Sequence, residues 1–550
     1  MKKYLLLVLV LILATLLRFI SLDKYPIGLN ADEAALGYNA YSLLETGKDE
    51  HGTSWPLVFR SFDDYKPPLY VYLTIPFVKF LGLNVWSVRL PSAIAGVLTV
   101  FLVYLLVNAL KIFPDKKKNE ALALVSSLLL AVSPWHLHFS RGAWEVNIST
   151  FLLVLGVYGF ILGLKNSKYF SLFSVSFALS LFTYHSARII APLLVIALVI
   201  IHRQSLFKKE NLKGIIIASV LGIALSLPVV LQLISKEGQS RFSGVSIFAD
   251  SGPLSYVLEQ RRVDPNPDSL ITKIKYNRYT AYAGYYFENY LSHYSKDFLF
   301  VSGDVIDRSR VPGFGQSYYP LILFVSLGIL MLFIDRSPGG RTVFTWFLIA
   351  PAAAALTFQS PHALRSQNEV IPLSIISACG VIMLITFISK LKVKILPIIF
   401  SVVLLVGLIF QVKDYLYSYF VTYPRELPMA WQYGFSEIAE FTQAKYSKYD
   451  HIIITDRYDQ PYILIAFFQK YPPQSLQKEL VMGPIDNFGF STGRQFGKYE
   501  FRKINPVSDL KLPNTLLVSE DTPFPESKVI KTIKSPTGIV LFKLIDTNLK

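Results

Sequence analysis

Hydrophobic residues along the chain fall into long apolar runs separated by short polar connections. Runs near 4–22, 69–110, 120–135, 148–164, 170–184, 188–201, 214–234, 319–334, 343–358, 369–389 and 395–411 approach or exceed the length a membrane-crossing helix needs, roughly 20 residues. The pattern predicts an α-helical polytopic membrane protein with about eleven transmembrane helices. The first run follows Met1-Lys2-Lys3 without a small-residue cleavage site, so it reads as a retained anchor. From about 412 the pattern changes. His451–Thr455, Tyr462–Phe468, Leu516–Val518 and Gly538–Ile545 read as short strands between Pro- and Gly-containing turns, with a helix over about 429–446. The expected organisation is a transmembrane domain over 1–411, with long loops at 23–68 and 235–318, and a small α/β domain over 412–550. The Tyr-rich loop 235–318 gives no definite structure.

Composition supports a membrane chain. Of 550 residues, 52% are hydrophobic and 17% charged, against about 25% charged in soluble domains. The net charge of +16 arises from 54 Lys+Arg against 38 Asp+Glu. These bases lie in connections between apolar runs, not in one polar patch, so they read as topology and no nucleic-acid partner is expected. Lys2/Lys3, Lys111 with Lys116–Lys118, Lys165/Lys168, Arg203/Lys208/Lys209/Lys213, Arg336/Arg341 and Lys390/Lys392/Lys394 occupy alternate connections without a break in parity. The expected placement is a multi-pass protein of the cell (plasma) membrane with a cytoplasmic N-terminus. Loops 23–68 and 235–318, the short loops around 136–147, 184–188 and 358–368, and the C-terminal domain are then extracytoplasmic. The single cysteine, Cys379, excludes an intramolecular disulfide and any cysteine-cluster metal site.

Chemistry-bearing residues collect in the connections assigned to the outer face. Gly28-Leu29-Asn30-Ala31-Asp32-Glu33 opens a helix-like stretch that runs to Leu44 and stops at Gly47. Asp32 suits a helix N-cap, and Glu33 the first turn. The pair could equally present a base to an acceptor hydroxyl just outside the bilayer. Asp63-Asp64-Tyr65-Lys66-Pro67-Pro68-Leu69-Tyr70 holds Lys66 extended at the mouth of the next run, at phosphate-headgroup depth. His-x-x-Arg occurs three times, as His138–Arg141, His185–Arg188 and His362–Arg365, where eight histidines placed at random would give fewer than one. On a helix each pair would share a face and could hold a phosphate, though lipid anchoring explains any one of them as well. Glu145, in Gly142-Ala143-Trp144-Glu145, is a further outer carboxylate, with a structural ion pair to Arg141 as the plainer reading. The chain has no HExxH zinc motif, P-loop, Rossmann glycine pattern or G-x-S-x-G elbow.

Asn30-Ala31-Asp32-Glu33, Lys66-Pro67-Pro68-Leu69-Tyr70, Arg89-Leu90-Pro91-Ser92 and Ser133-Pro134-Trp135 together resemble the C-type (GT-C) membrane glycosyltransferases. The resemblance is to prokaryotic relatives of the protein O-mannosyltransferases (glycosyltransferase family 39) and of the lipid A aminoarabinose transferases. It is dense over about 10–200, thinner to 411, and does not include the tail. It implies a GT-C fold and transfer of a sugar from a polyprenyl-phosphate donor to a protein, lipid or glycan acceptor on the outer face, with inversion. By motif, Asp32 would be the catalytic base with Glu33 beside it, and Lys66 would meet the lipid phosphate. Where the aminoarabinose transferases have an acidic residue before that lysine, this chain has Tyr65. Glu145 falls near the place of a second outer carboxylate. Arg141, His185, Arg188, His362 and Arg365 are the further donor-phosphate candidates, on the His-x-x-Arg reading alone. No cofactor is required, although a carboxylate pair beside a phosphate could take a divalent cation. Trp431-Gln432-Tyr433-Gly434 is only faintly similar to the oligosaccharyltransferase Trp-Trp-Asp-Tyr-Gly motif and lacks its acidic residue. The alternative is a transporter or flippase of lipid-linked sugars, which would place its charges at mid-membrane instead of at one face.

Overall fold

The apolar runs become helices in a computed structural model of the chain. The structure describes residues 2–62, 64–234, 244–390, 395–485, 491–520 and 522–549. Asp63, Lys392, Lys394 and the first residues of the 235–318 loop lie outside the described residues.

Among the described residues six helices are long and apolar enough to cross a bilayer: Val85–Leu110, Glu145–Gly163, Ala187–Leu206, Lys209–Leu233, Gln367–Ile388 and Leu396–Glu426. A seventh span results if Lys116–Val132 and Pro134–Arg141, bent by 55°, are taken together. The protein is thus a polytopic α-helical membrane protein, but the expected count of about eleven is too high. Hydropathy registers apolar length and not helix ends. The 69–110 run breaks into Leu69–Leu81 and Val85–Leu110 at Gly82, the 170–184 run supplies an 11-residue helix, Phe170–Ser180, and the 343–358 run divides into Pro338–Ile349 and Ala352–Ala355. The runs at 4–22 and 319–334 become shorter apolar helices, Tyr4–Phe19 and Tyr319–Ile334.

The chain forms two compact units, both discontinuous in sequence. The first comprises Met1–Arg18, Ala95–Ser140 and Glu145–Tyr415. The second comprises Phe19–Ile94, Arg141–Trp144 and Leu416–Lys550, so the first long loop joins the C-terminal segment in one body.

The second unit carries a seven-stranded mixed sheet. A separate hairpin comes first in the chain, β1 (Phe59–Ser61) paired antiparallel with β2 (Asp64–Lys66). The sheet is built from β3 (His451–Ile454), β4 (Val481–Met482), β5 (Gly493–Phe496), β6 (Tyr499–Phe501), β7 (Thr515–Ser519), β8 (Val529–Lys534) and β9 (Val540–Asp546), in the order β4-β5-β6-β3-β7-β9-β8. Central β3 is parallel to both neighbours, and the outer pairings are antiparallel. Ile453, Leu517 and Ile545 from three adjacent strands pack with Ile504 and Phe524. Tyr462–Phe468, expected as a strand, is the helix Pro461–Phe468. Burial of every residue from Pro461 to Phe467 erases the periodicity that separates helix from strand, and Pro461 fits the first turn, where no N–H is needed. The helix expected over 429–446 is broken at Gln432 and Gly434, whose φ values of 50° and 97° leave a short turn before Phe435–Ala444.

Helix Ala31–Thr46 packs on Leu69–Leu81 and on Pro461–Phe468. Gly37 permits the approach, because a Cβ there would collide with the Val88 and Phe467 side chains. Gly37→Leu is therefore expected to destabilise the protein by about 1–3 kcal/mol through overpacking, read as a lowered thermal midpoint of the solubilised chain. An unchanged midpoint would show that this helix is not held by close packing.

Candidate active site

The head of helix Ala31–Thr46 is fixed by a capping box. Asn30, not Asp32, is the N-cap: its side chain accepts from the Glu33 N–H at 3.0 Å, and Glu33 accepts in return from the Asn30 N–H at 3.4 Å. A third anchor comes from the C-terminal segment, where the Gln432 Oε1 accepts from the Ala31 N–H at 2.6 Å. Gly28, at φ 84°, lies so close to the Trp431 carbonyl that no Cβ would fit.

Adjacent carboxylates on this turn diverge, as a helix advances about 100° per residue. Glu33 is buried and receives Arg89 bidentately, Nε to Oε1 at 2.9 Å and Nη2 to Oε2 at 3.0 Å, with the Ala143 N–H also donating to Oε1 at 2.8 Å. The remaining donors of Arg89 reach backbone carbonyls of Leu22 at 2.9 Å, Pro26 at 3.1 Å and Gly28 at 2.7 Å. All five guanidinium hydrogens are thereby used, and the group lies over the Trp431 ring at 5.6 Å. Asp32 keeps 29% of its side chain exposed and takes the Lys66 Nζ at 2.5 Å, where the Lys66 side chain is 8% exposed. Lys66 is the last residue of β2, paired with Phe59, and its ammonium lies 5.1 Å from the Phe62 ring centroid.

Arg141 belongs to the same unit but not to an open anion site. It is fully buried, its Nη2 donates to the carbonyls of Ile20 at 2.8 Å and Tyr25 at 3.2 Å, and its guanidinium lies over Tyr419 and Phe420. This corrects the expectation of a phosphate ligand: the cation holds the segment after the first helix.

Glu145, His185, Arg188, His362 and Arg365 all lie in the first unit. Glu145 begins its helix and is buried. Of the three His-x-x-Arg pairs only His138–Arg141 lies within one helix; Arg188 is in the first turn of a helix that His185 precedes, and His362 leads into a turn that contains Arg365. The expected common face is therefore absent in two of the three. Arg188 donates to Gln232 at 2.9 Å, and Arg365 is half-buried. His362 is buried with its Nδ1 3.3 Å from Asp304 Oδ2. The His362 backbone N–H donates to His293 Nε2 at 3.1 Å, while His293 Nδ1 donates to the Asn289 carbonyl at 2.8 Å, a pattern that requires a neutral His293. Burial pushes both imidazoles down to about 4. His362 is thus a structural imidazole and not a cationic phosphate ligand.

Among the described residues no group of three His, Cys, Asp or Glu could hold a metal ion. Asp32 and Glu33 do not fit a shared divalent cation either, since Glu33 is engaged by Arg89 and its neighbour by Lys66. Sequence reasoning assigned no role to Arg89, Trp431 or Gln432. Two motifs already singled out contained them, but no local pattern says that Arg89 would meet a carboxylate 56 residues away.

Two outcomes are expected. Arg89→Leu leaves a buried carboxylate unpaired and should destabilise the fold by about 3–5 kcal/mol; a thermal midpoint equal to wild type would remove Arg89 as the organiser of this turn. The second concerns pH. Imidazoles at about 4 when folded against an ordinary 6.5 bind fewer protons folded than unfolded between those values. Stability should therefore fall as pH is lowered through that window, and His362→Asn should flatten the slope in a pH series of thermal midpoints. An equal slope in both proteins would exclude the buried imidazole as its source.

Residues 65–231 match the family model described as dolichyl-phosphate-mannose-protein mannosyltransferase. A Bacillus subtilis (strain 168) protein named "Putative mannosyltransferase YycA" is 28% identical over 182 residues, which is 32% of this chain and only 25% of the Bacillus protein. The crystal structure of ArnT from Cupriavidus metallidurans bound to undecaprenyl phosphate matches with a TM-score of 0.54 over 98% of both chains, at 10% identity. The oligosaccharyltransferase AglB from Archaeoglobus fulgidus, in complex with an inhibitory peptide and a dolichol-phosphate, matches with a TM-score of 0.52 at 12% identity, over 85% of this chain and 63% of that one. At these identities the likeness to the solved structures is one of fold. The 65–231 segment is thus similar to the mannosyltransferase family, and the chain as a whole has a fold similar to that of ArnT and of the archaeal oligosaccharyltransferase.

Proposed function

We propose that this protein transfers a sugar from a polyprenyl-phosphate donor to an acceptor hydroxyl or amine at the outer face of the cell membrane. The observation that carries the reading is the divergence at one helix turn: Glu33 is buried on Arg89, while Asp32 stays partly exposed and bonded to Lys66. A base must reach substrate and a cation must reach the phosphate, and Asp32 on this turn with Lys66 from β2 sets one of each side by side. The kinship adds support, since the family model that matches is a dolichyl-phosphate-mannose family and the ArnT structure holds undecaprenyl phosphate. The Lys2/Lys3 pair before the first apolar helix supports a cytoplasmic N-terminus.

In the reaction the phosphate headgroup draws Lys66 away from Asp32. The freed carboxylate accepts the acceptor's proton as the acceptor attacks the anomeric carbon from the side opposite the phosphate. The bond from that carbon to the phosphate oxygen breaks, Lys66 stabilises the charge gathering on the departing lipid phosphate, and the sugar is inverted. Glu33 and Arg89 act as positioning residues, holding the backbone that aims Asp32.

The test uses full-length protein in nanodiscs with undecaprenyl-phosphate mannose labelled in the sugar, and host membranes as acceptor. Asp32→Asn should lower transfer about 10²–10⁴-fold, and Lys66→Met should lower it to a similar degree, while both variants fold. Transfer by Asp32→Asn at the wild-type rate would remove this carboxylate from the chemistry. Movement of labelled lipid across the bilayer, without transfer by the wild type, would favour the transporter.

A further inference from the structure

Between the first long outer segment and the tail lies a stretch for which the sequence offers no motif. Here three helices of the first unit, Gly252–Val263, Leu270–Lys275 and Arg278–Ser292, surround an open cavity of about 650 Å³. Thr280, Gly284 and Glu288 follow each other at i, i+4 and i+8, so they line it from one face of their helix. Tyr285 is beside them, Tyr256 comes from the first of the three helices, and Tyr276 follows the end of the second.

The lining has the composition of a site and not of a packing defect. Gly284 is exposed in mid-helix, where glycine is unfavourable, and a Cβ there would meet nothing within 4 Å. The missing side chain leaves the floor open. Asp250 is held in place, accepting from the Gly252 N–H at 2.8 Å and from the Tyr285 hydroxyl at 3.0 Å. The Lys275 ammonium lies 4.9 Å from the Tyr276 ring centroid. The cavity thus offers hydroxyl donors, carboxylate acceptors at Asp250 and Glu288, one ammonium, and aromatic rings. Charges of both signs disfavour a strongly anionic or cationic occupant. Alternating donors and acceptors beside flat rings suit a neutral polyol with one apolar face, and the size is that of small-ligand pockets.

We propose that this pocket binds a neutral carbohydrate, about the size of a disaccharide, with a sugar face against Tyr256 or Tyr276 and hydroxyls donating to Asp250 and Glu288. This goes beyond the transfer reading and does not depend on it, because binding requires neither donor nor turnover.

The experiment is saturation-transfer difference NMR on the full-length protein in nanodiscs free of sugar-based detergent, with mannobiose, cellobiose and maltose as probes and a tri-lysine peptide as the cationic control. At least one disaccharide should give a saturation signal. Gly284→Phe, which fills the floor, should abolish it, and Tyr256→Ala, at an exposed ring, should weaken binding about tenfold or more. Asp32→Asn should leave it unchanged. Absence of signal from all three sugars, a signal indifferent to both pocket variants, or binding of the peptide in place of the sugars would overturn the proposal. Should Gly284→Phe fail to fold, Tyr256→Ala decides alone. Loss of sugar transfer in Asp32→Asn with disaccharide binding intact keeps the two readings separable.

Discussion

One guanidinium organises the candidate site. Arg89 meets both oxygens of Glu33 and three carbonyls of the segment before it, so the loop after the first helix and the head of the next are tied to a single buried group. Burying this charge is tolerable because every hydrogen has an acceptor and the partner charge is bidentate. The consequence for chemistry is indirect. With Glu33 fixed inward and helical geometry separating neighbours by about 100°, Asp32 has one direction left, toward Lys66 and the exposed side.

The Lys66–Asp32 pair has a different character. It is short, at 2.5 Å, yet Asp32 retains exposure, so it is open to exchange with an incoming ion. A charge-assisted hydrogen bond of this kind stabilises by about 1.5–3 kcal/mol, within reach of the binding energy of a phosphate headgroup. Tight and loose ion pairs at successive residues therefore divide positioning from reactivity.

Much of this was legible in the sequence, and the limits have physical causes. Apolar runs announced the membrane helices, but helix ends set by Gly82 or Pro351 do not alter hydropathy enough to register, hence the overcount. The start and stop of helix Ala31–Thr46 were readable from Asn30, Glu33 and Gly47, although the cap moved from Asp32 to Asn30. Asp32 and Lys66 could be singled out because each sits in a motif at the edge of an apolar run, but that they touch is a product of β1–β2 folding back. Arg141 and His362 misled because spacing reports residue type and not burial: both are enclosed, one by carbonyls and aromatic rings, the other by a neutral imidazole and Asp304. The strand-like run at Tyr462–Phe468 failed for a related reason, since a helix buried all round has no polar face to reveal its period.

The exchange at Lys66 is the claim most directly open to measurement. A cryo-EM reconstruction of the full chain in nanodiscs, with and without undecaprenyl phosphate, would show both states. The account predicts phosphate density within about 3 Å of the Lys66 Nζ, with Asp32 released and Glu33 still clasped by Arg89. Phosphate bound elsewhere, with the Lys66–Asp32 bond intact, would contradict it.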